Sequence, residues 1–209
     1  MNFSSFKYLY PPRPETKAPR ESLRTFEQMG FIAQPKLNGS CAVLFLDGKG
    51  SKIMGRHNNS FTRETINSNH LNSLHRGYGY MVLVGEYLNK SQRDHRGKKL
   101  NGFVIFDILV FEGKHLKGTS FIDRQNLLDS LYVSKEQYDK FIDVISPFVF
   151  RANNFDTNFE NLWKEIIQTE MYEGFVLKRK NGILEYNNRE RNNTQWQIKI
   201  RKPTKNYSH

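Results

Sequence analysis

The chain is 209 residues long, enough for one domain with a real core, and 13% of it is aromatic, which excludes a disordered tail. Thirty-two Lys and Arg against twenty-one Asp and Glu give a formal net charge of +11. Such a field attracts polyanions, nucleic acid first and an anionic membrane surface second. The single cysteine, Cys41, excludes a disulfide framework or a cysteine-rich zinc site within the chain, and the six His lack paired metal-ligand spacing. The opening MNFSSFKYLYPPRPE lacks the apolar run of a signal peptide, and no stretch approaches a membrane span. A reducing, intracellular setting fits.

Residues 1–20, rich in Pro, Lys and Arg, read as an extended lead-in, and residues 21–30 (ESLRTFEQMG) as a short helix ending at Gly30. FIAQPKLNGSCAVLFLDGKGSKIMGR then predicts strand, tight loop, strand, turn, strand, with Asp47-Gly48 as the hairpin signal. Residues 59–79 are polar and read as loop and helix. MVLVGEYL (81–88) is a β-rich run, NKSQRDHRGKK (89–99) a basic surface loop, and GFVIFDILVFEG (102–113) a buried strand. SFIDRQNLLDSL (120–131) has helical spacing with Ser120 as N-cap; KEQYDKFIDVI (135–145) and NFENLWKEIIQ (158–168) predict two more helices. EGFVLKRK (173–180) and TQWQIKIRK (194–202) predict strands, the second placing Trp196, Ile198 and Ile200 on one face. The result is an α+β domain on antiparallel sheet.

Five short segments carry the candidate chemistry. PKLNGS places Lys36 at the end of a strand, with Gly39 in the turn after it. A lysine that attacks phosphorus must lose its proton, which burial or neighbouring cations favour, and a glycine lets backbone approach a phosphate closely. VGEYL carries Glu86, FVIFDIL carries Phe106 and Asp107, EGFVLK carries Glu173 and Lys178, and QIKIRK alternates Lys199 and Arg201 with isoleucines. Singly, each reads as a surface charge, a core aromatic or an edge strand.

Together and in this order, the segments resemble motifs I, III, IIIa, IV and V of the covalent nucleotidyltransferases: ATP-dependent DNA ligases, RNA ligases and mRNA capping enzymes. GRHN, with Arg56, resembles motif Ia. The resemblance runs from Phe31 to Lys202. It implies an ATP-grasp-like nucleotidyltransferase domain over residues 31–209 behind a lead-in of residues 1–30, with antiparallel sheets around a nucleotide cleft flanked by helices. It implies that Lys36 takes AMP, that Arg56 binds the nucleotide and a nucleic-acid 5′-phosphate, that Glu86 lies near the ribose and that Phe106 stacks on adenine. Gln34 falls where the family contacts the adenine amino group. Glu173 corresponds to the motif IV carboxylate that helps bind metal, with Glu86 as second donor, and Lys178 follows it in the same strand on the nucleotide. Lys199 and Arg201 correspond to the motif V cations on the α-phosphate.

FVIFDILVFEGKHLKGTSFIDRQNLL is close to the DNA-ligase pattern after motif IIIa: the FDIL core, Glu112-Gly113, Leu116, Gly118 and the Arg124-x-x-Leu127-Leu128 helix. Asn38 stands where DNA ligases usually carry Asp and RNA ligases carry amide or histidine variants, and Ser40 stands where many DNA ligases have arginine nearby. The implied activity is ATP-dependent sealing of 5′-phosphate to 3′-hydroxyl breaks in nicked duplex, DNA preferred, by a monomer using Mg²⁺ or Mn²⁺. An RNA ligase, a capping guanylyltransferase and a non-catalytic nucleic-acid-binding module are the alternatives. Few residues follow motif V, so no OB-fold domain is expected. Arg93, Arg96, Lys98 and Lys99 of the basic loop, with the tail near 199–205, are the expected grip on the phosphate backbone.

Overall fold

The computed structural model describes residues 10–61, 66–186 and 191–203. In chain order, β1 (Arg13–Lys17) leads through a 3-10 turn to α1 (Leu23–Gln28), and Gly30 reverses the chain at φ +72°. Then come β2 (Phe31–Leu37), β3 (Ser40–Asp47), β4 (Gly50–Gly55) and α2 (Ser68–Asn72). A long hairpin of β5 (Met81–Arg93) and β6 (Lys99–Phe111) follows, with the short β7 (Lys114–His115) against it. The chain continues through α3 (Phe121–Leu131), β8 (Glu136–Gln137), β9 (Ile142–Ser146), β10 (Val149–Ala152), α4 (Phe159–Ile166), β11 (Tyr172–Arg179) and β12 (Asn193–Arg201). No helix among the described residues is long and apolar enough to cross a membrane.

The strands form two sheets. The smaller runs β1-β12-β11-β2 and the larger β4-β3-β5-β6-β10-β9-β8. The consecutive hairpins are antiparallel as expected, but β1 joins β12 and β10 joins β6 in parallel, so both sheets are mixed. Parallel neighbours cannot be joined by a tight turn. They are brought together by residues far apart in sequence, which local patterning does not register.

Three other segments depart from expectation. The lead-in contributes β1 to the smaller sheet; residues 1–9 lie outside the described residues. The basic segment 89–99 is not all loop: β5 runs on to Arg93 and β6 starts at Lys99, leaving a turn between them. Asp94 closes that turn, its Oδ1 accepting from the Arg96 N–H at 2.9 Å and the Lys98 N–H at 2.7 Å. The helix expected over 135–145 is instead β8, a turn and β9. The Asp139 carboxylate accepts from the N–H groups of Phe141 (2.8 Å) and Ile142 (3.0 Å), which diverts the backbone from helix. The β-branched Ile142 and Val144 then pair as strand against β10.

α3 forms as its cap predicts: Ser120 accepts from the Asp123 N–H while Asp123 accepts from the Ser120 N–H. It carries a fully buried arginine onto β6. Arg124 grips Asp107 through two bonds, Nε to Oδ1 at 2.8 Å and Nη2 to Oδ2 at 3.1 Å, and its Nη1 donates to the Thr119 carbonyl at 2.9 Å. Both side chains are almost wholly out of water, at 0% and 5% exposure. Removing one partner strands a buried charge, which costs far more than losing a surface pair. Arg124→Ala is therefore expected to lower the unfolding free energy by about 3–5 kcal/mol in urea titration. A loss below about 1 kcal/mol would show the pair to be as dispensable as an exposed one.

Candidate active site

The two sheets face each other across an open cleft of about 560 Å³. From the smaller sheet it is lined by Gln34 and Lys36 of β2, Glu173 and Lys178 of β11, and Gln197, Lys199 and Arg201 of β12. From the larger sheet come Cys41, Glu86 and Phe106, with Arg56 just past β4. The alternation of β12 produces one half of this wall: Ile198 and Ile200 are buried in the core, so Lys199 and Arg201 point the other way.

Glu173 reaches the cleft by a different device. Along β11, Tyr172 pairs with Leu37 and Gly174 with Lys36, so Glu173 is an extra residue against β2, a β-bulge. The bulge depends on Gly174, at φ +134°, where an added Cβ would lie 2.2 Å from the Ile200 carbonyl oxygen. The bulged carboxylate accepts a short hydrogen bond from Lys36 Nζ and lies 3.3 Å from Arg201 Nε. Lys199 donates to the Pro14 carbonyl at 3.3 Å. Burial, then Arg13, Arg201, Lys17 and Lys36, hold its ammonium below the usual lysine range. The loop after Lys36 is pinned from both sides: the Asn38 N–H donates to the Met171 carbonyl at 2.8 Å and the Gly39 N–H to Glu86 Oε1 at 3.0 Å. A Cβ on Gly39 would meet the Tyr87 carbonyl oxygen at 2.6 Å, so the turn has room only for glycine.

The opposite end of the cleft is a fixed amide network beside an aromatic ring. Lys178 Nζ donates to Gln34 Oε1 at 2.7 Å and lies 5.1 Å from the Phe106 ring centre. Gln34 Nε2 donates to the Phe106 carbonyl (3.2 Å) and to Asn154 Oδ1 (3.0 Å). Asn154 in turn donates to Gln125 of α3 at 3.0 Å. Lys178 is buried, which brings its pKa down to about 8 despite the opposing pull of Asp107.

A family model described as ATP dependent DNA ligase domain matches residues 81–199, more than half of the chain. The chain belongs to this ligase family. Among solved structures, a mycobacterial DNA ligase D complexed with ATP and MES is similar at a TM-score of 0.61 and 16% identity, over 94% of this chain and 62% of that one. The ligase domain of M. tuberculosis LigD is similar at a TM-score of 0.62 and 16% identity, over 92% of this chain and 60% of that one. At this identity the likeness is one of fold, and the chain spans about three fifths of their length. No curated protein matches the chain.

All the nucleotide-facing residues expected of a ligase-family chain line the one cleft: Gln34, Lys36, Arg56, Glu86, Phe106, Glu173, Lys178, Lys199 and Arg201. The basic hairpin does not line it. Arg93, Arg96, Lys98 and Lys99 are exposed; Arg93 donates to the Gly97 carbonyl at 2.8 Å, and the Arg96 guanidinium stacks 5.0 Å from the Tyr138 ring centre. The hairpin is tied to the site at one remove, because the Met171 N–H donates to the Arg93 carbonyl at 3.0 Å while the Met171 carbonyl holds Asn38. Several lining residues carry no motif, Arg13 and Gln197 among them. Gln197 was recoverable, since it shares the face of Lys199 and Arg201.

The acidic donors in the cleft are Glu86 and Glu173, and no group of three or more potential ligands occurs among the described residues. Two carboxylates suit a Mg²⁺-like cation that takes its remaining ligands from phosphate oxygens and water, not from a protein cage. Burial raises the Glu86 pKa from 4.5 to about 7, against Lys36 and the Gly39 N–H, which pull it down. Between those values the folded chain holds a proton that the unfolded chain has released, so stability falls as pH rises through that window. Glu86→Gln keeps the shape and cannot ionise. Relative to the wild type it is expected to gain on the order of 1–3 kcal/mol between pH 5 and pH 8 in urea unfolding. Parallel pH profiles would show that Glu86 ionises at no cost to the fold.

Proposed function

We propose that the chain is the nucleotidyltransferase core of an ATP-dependent polynucleotide ligase that seals nicked duplex DNA through a lysyl-AMP intermediate on Lys36. The observation that carries this is the clustering of Lys36, Glu173 and Arg201 at one end of a cleft that next presents Lys199 and the Gln34 amide in one row, with Phe106 lining the same cleft. The cations suit phosphate, and Phe106 and the Gln34 amide suit a purine face and its hydrogen-bonding edge.

In this reading Lys36 Nζ, held by Glu173, forms a bond to the α-phosphorus as the bond to pyrophosphate breaks. The amine must be deprotonated first, and the Glu173 carboxylate, which accepts its hydrogen bond, is placed to take the proton. Lys199 and Arg201 face the charge that gathers on the phosphate oxygens and lower its cost. Gln34, held by Lys178, Asn154 and the Phe106 carbonyl, cannot rotate, so it meets the base in one orientation. Glu86 and Glu173 would hold a divalent cation, which supplies charge neutralisation on the triphosphate when bound. AMP then passes from Lys36 to a 5′-phosphate, and a 3′-hydroxyl displaces it.

Asn38 bears on the DNA-versus-RNA choice. Its side-chain amide lies within 3.4 Å of the Glu170 carbonyl as a donor, a contact an aspartate could not make. That local partner accounts for the amide without invoking an RNA substrate, and the motif IIIa neighbourhood favours DNA.

Incubated with ATP and Mg²⁺, the wild type should gain the mass of one AMP, located on Lys36 by peptide mapping, and Lys36→Ala should gain none while melting at the same temperature. AMP on a different lysine, or its transfer to nicked RNA alone, would overturn the assignment. The exposed hairpin generates a second expectation. Each cation contacting a phosphate adds about one unit to the salt slope of binding. Neutralising Arg96 and Lys99 should flatten that slope for nicked duplex by about one to two units with Lys36 adenylylation intact. An unaltered slope would make the hairpin a solvated surface.

A further inference from the structure

Three side-chain amides and one main-chain carbonyl close into a ring beside the cleft. Gln34 Nε2 donates to the Phe106 carbonyl at 3.2 Å and to Asn154 Oδ1 at 3.0 Å. Asn154 Nδ2 donates to Gln125 Oε1 at 3.0 Å, and Gln125 Nε2 returns to the Phe106 carbonyl at 3.2 Å. Gln34 lines the cleft; Asn154 and Gln125 do not. Gln34 and Gln125 are buried, at 2% and 1% exposure, so water does not stand in for a lost partner.

An amide that turns end for end exchanges donor for acceptor with little change of shape. Two groups that cannot make that exchange set the direction here. The Phe106 carbonyl only accepts, so the NH2 groups of Gln34 and Gln125 must face it. Lys178, as an ammonium, only donates, and its Nζ meets Gln34 Oε1 at 2.7 Å. Gln125 thereby presents its oxygen to Asn154, and Asn154 presents its oxygen to Gln34. Both N–H bonds of Gln34 are engaged inside the protein. What remains for a ligand is the second lone pair of Oε1, an acceptor.

We infer that Asn154 and Gln125 are positioning residues for base choice: by holding Gln34 with only an acceptor free, they make the cleft select a purine with an amino group at position 6 over one with an oxygen there. This rests on the reading that Gln34 meets the base. A 6-oxo purine needs a donor from Gln34, and to supply one the amide must turn and break the ring. Each bond made in one orientation only is therefore part of the discrimination. Without Asn154, one bond fewer has to break. Without Gln125, Asn154 is free to turn together with Gln34, and the pair re-forms reversed.

The test uses the whole chain at neutral pH as wild type, Asn154→Leu and Gln125→Leu, with thermal melts to establish folding. AMP and IMP, which carry an amino group and an oxygen at position 6, are titrated by calorimetry, and labelling of Lys36 is followed with ATP and ITP. The wild type should prefer AMP by at least about tenfold. In both variants that preference should shrink by about three- to tenfold, chiefly because IMP binds better. Gln34→Leu removes the amide outright, so adding Asn154→Leu to it should change the AMP-to-IMP ratio no further. A merely structural role would weaken both nucleotides alike, and that result overturns the inference. So does an AMP-to-IMP ratio unchanged in the variants, or a further fall in the double variant. Asn154 is half-buried, so if Gln125→Leu does not fold, Asn154→Leu and Asn154→Ala carry the test alone. A wild type that prefers AMP through the ring yet never labels Lys36 leaves the base choice standing and removes the ligase reading. One that labels Lys36 equally from ATP and ITP does the reverse.

Discussion

Six Lys and Arg side chains line the cleft among the described residues, and only two carboxylates, Glu86 and Glu173, oppose them. Mutual repulsion would disperse such a set if its members stood on mobile loops. Five of the six do not: Lys36, Lys178, Lys199, Arg201 and Arg13 stand on adjacent strands of one sheet, where main-chain hydrogen bonds hold them together at the expense of their electrostatics, and Arg56 follows β4 of the other sheet. Glu173 relieves part of the repulsion by holding Lys36 and Arg201 at once. The remainder is an unbalanced positive field, which lowers the cost of binding a polyphosphate and of developing charge on it.

That arrangement depends on one backbone irregularity. Without the bulge, strict alternation along β11 would turn Glu173 to the face opposite Val176 and Lys178, away from Lys36. Gly174 permits it because β12 crosses too close for any Cβ. The Glu-Gly pair is thus a geometric unit. The carboxylate is aimed by the residue that follows it, and the glycine has no contact of its own with the cleft.

The larger sheet supplies rigidity of another kind. Arg124 and Asp107 form a buried pair directly behind Phe106, and Gln125, the next residue of α3, donates to the Phe106 carbonyl at 3.2 Å. The same carbonyl accepts from Gln34 of the smaller sheet. α3 therefore clamps the strand that carries the aromatic, and the clamp extends through Gln125 and Asn154 to the Gln34 amide. A similar economy holds at Met171, which links Asn38 beside Lys36 to the basic hairpin at Arg93.

Much of this was legible in the residues alone. The runs that became β2 to β6, α3, α4, β11 and β12 have the periodicities their structures require, and the candidate site residues (Lys36, Glu86, Phe106, Glu173, Lys199, Arg201) sit on strands that short-range patterning locates. What the sequence could not carry was anything settled by a partner distant along the chain. The 135–145 segment has helical spacing, yet its strand neighbours in β10 and the Asp139 turn decide against helix. The parallel joins of β1 to β12 and of β6 to β10 have no local signature. Arg13 in PPRPE reads as a proline-rich lead-in, and becomes part of the cleft only because β12, some 180 residues later, offers an open edge for it to pair with. Side-chain chemistry and local backbone preference are properties of the sequence. Which strands become neighbours, and so which charges share a cleft, follows from burying both sheets at once, and only the tertiary structure decided it.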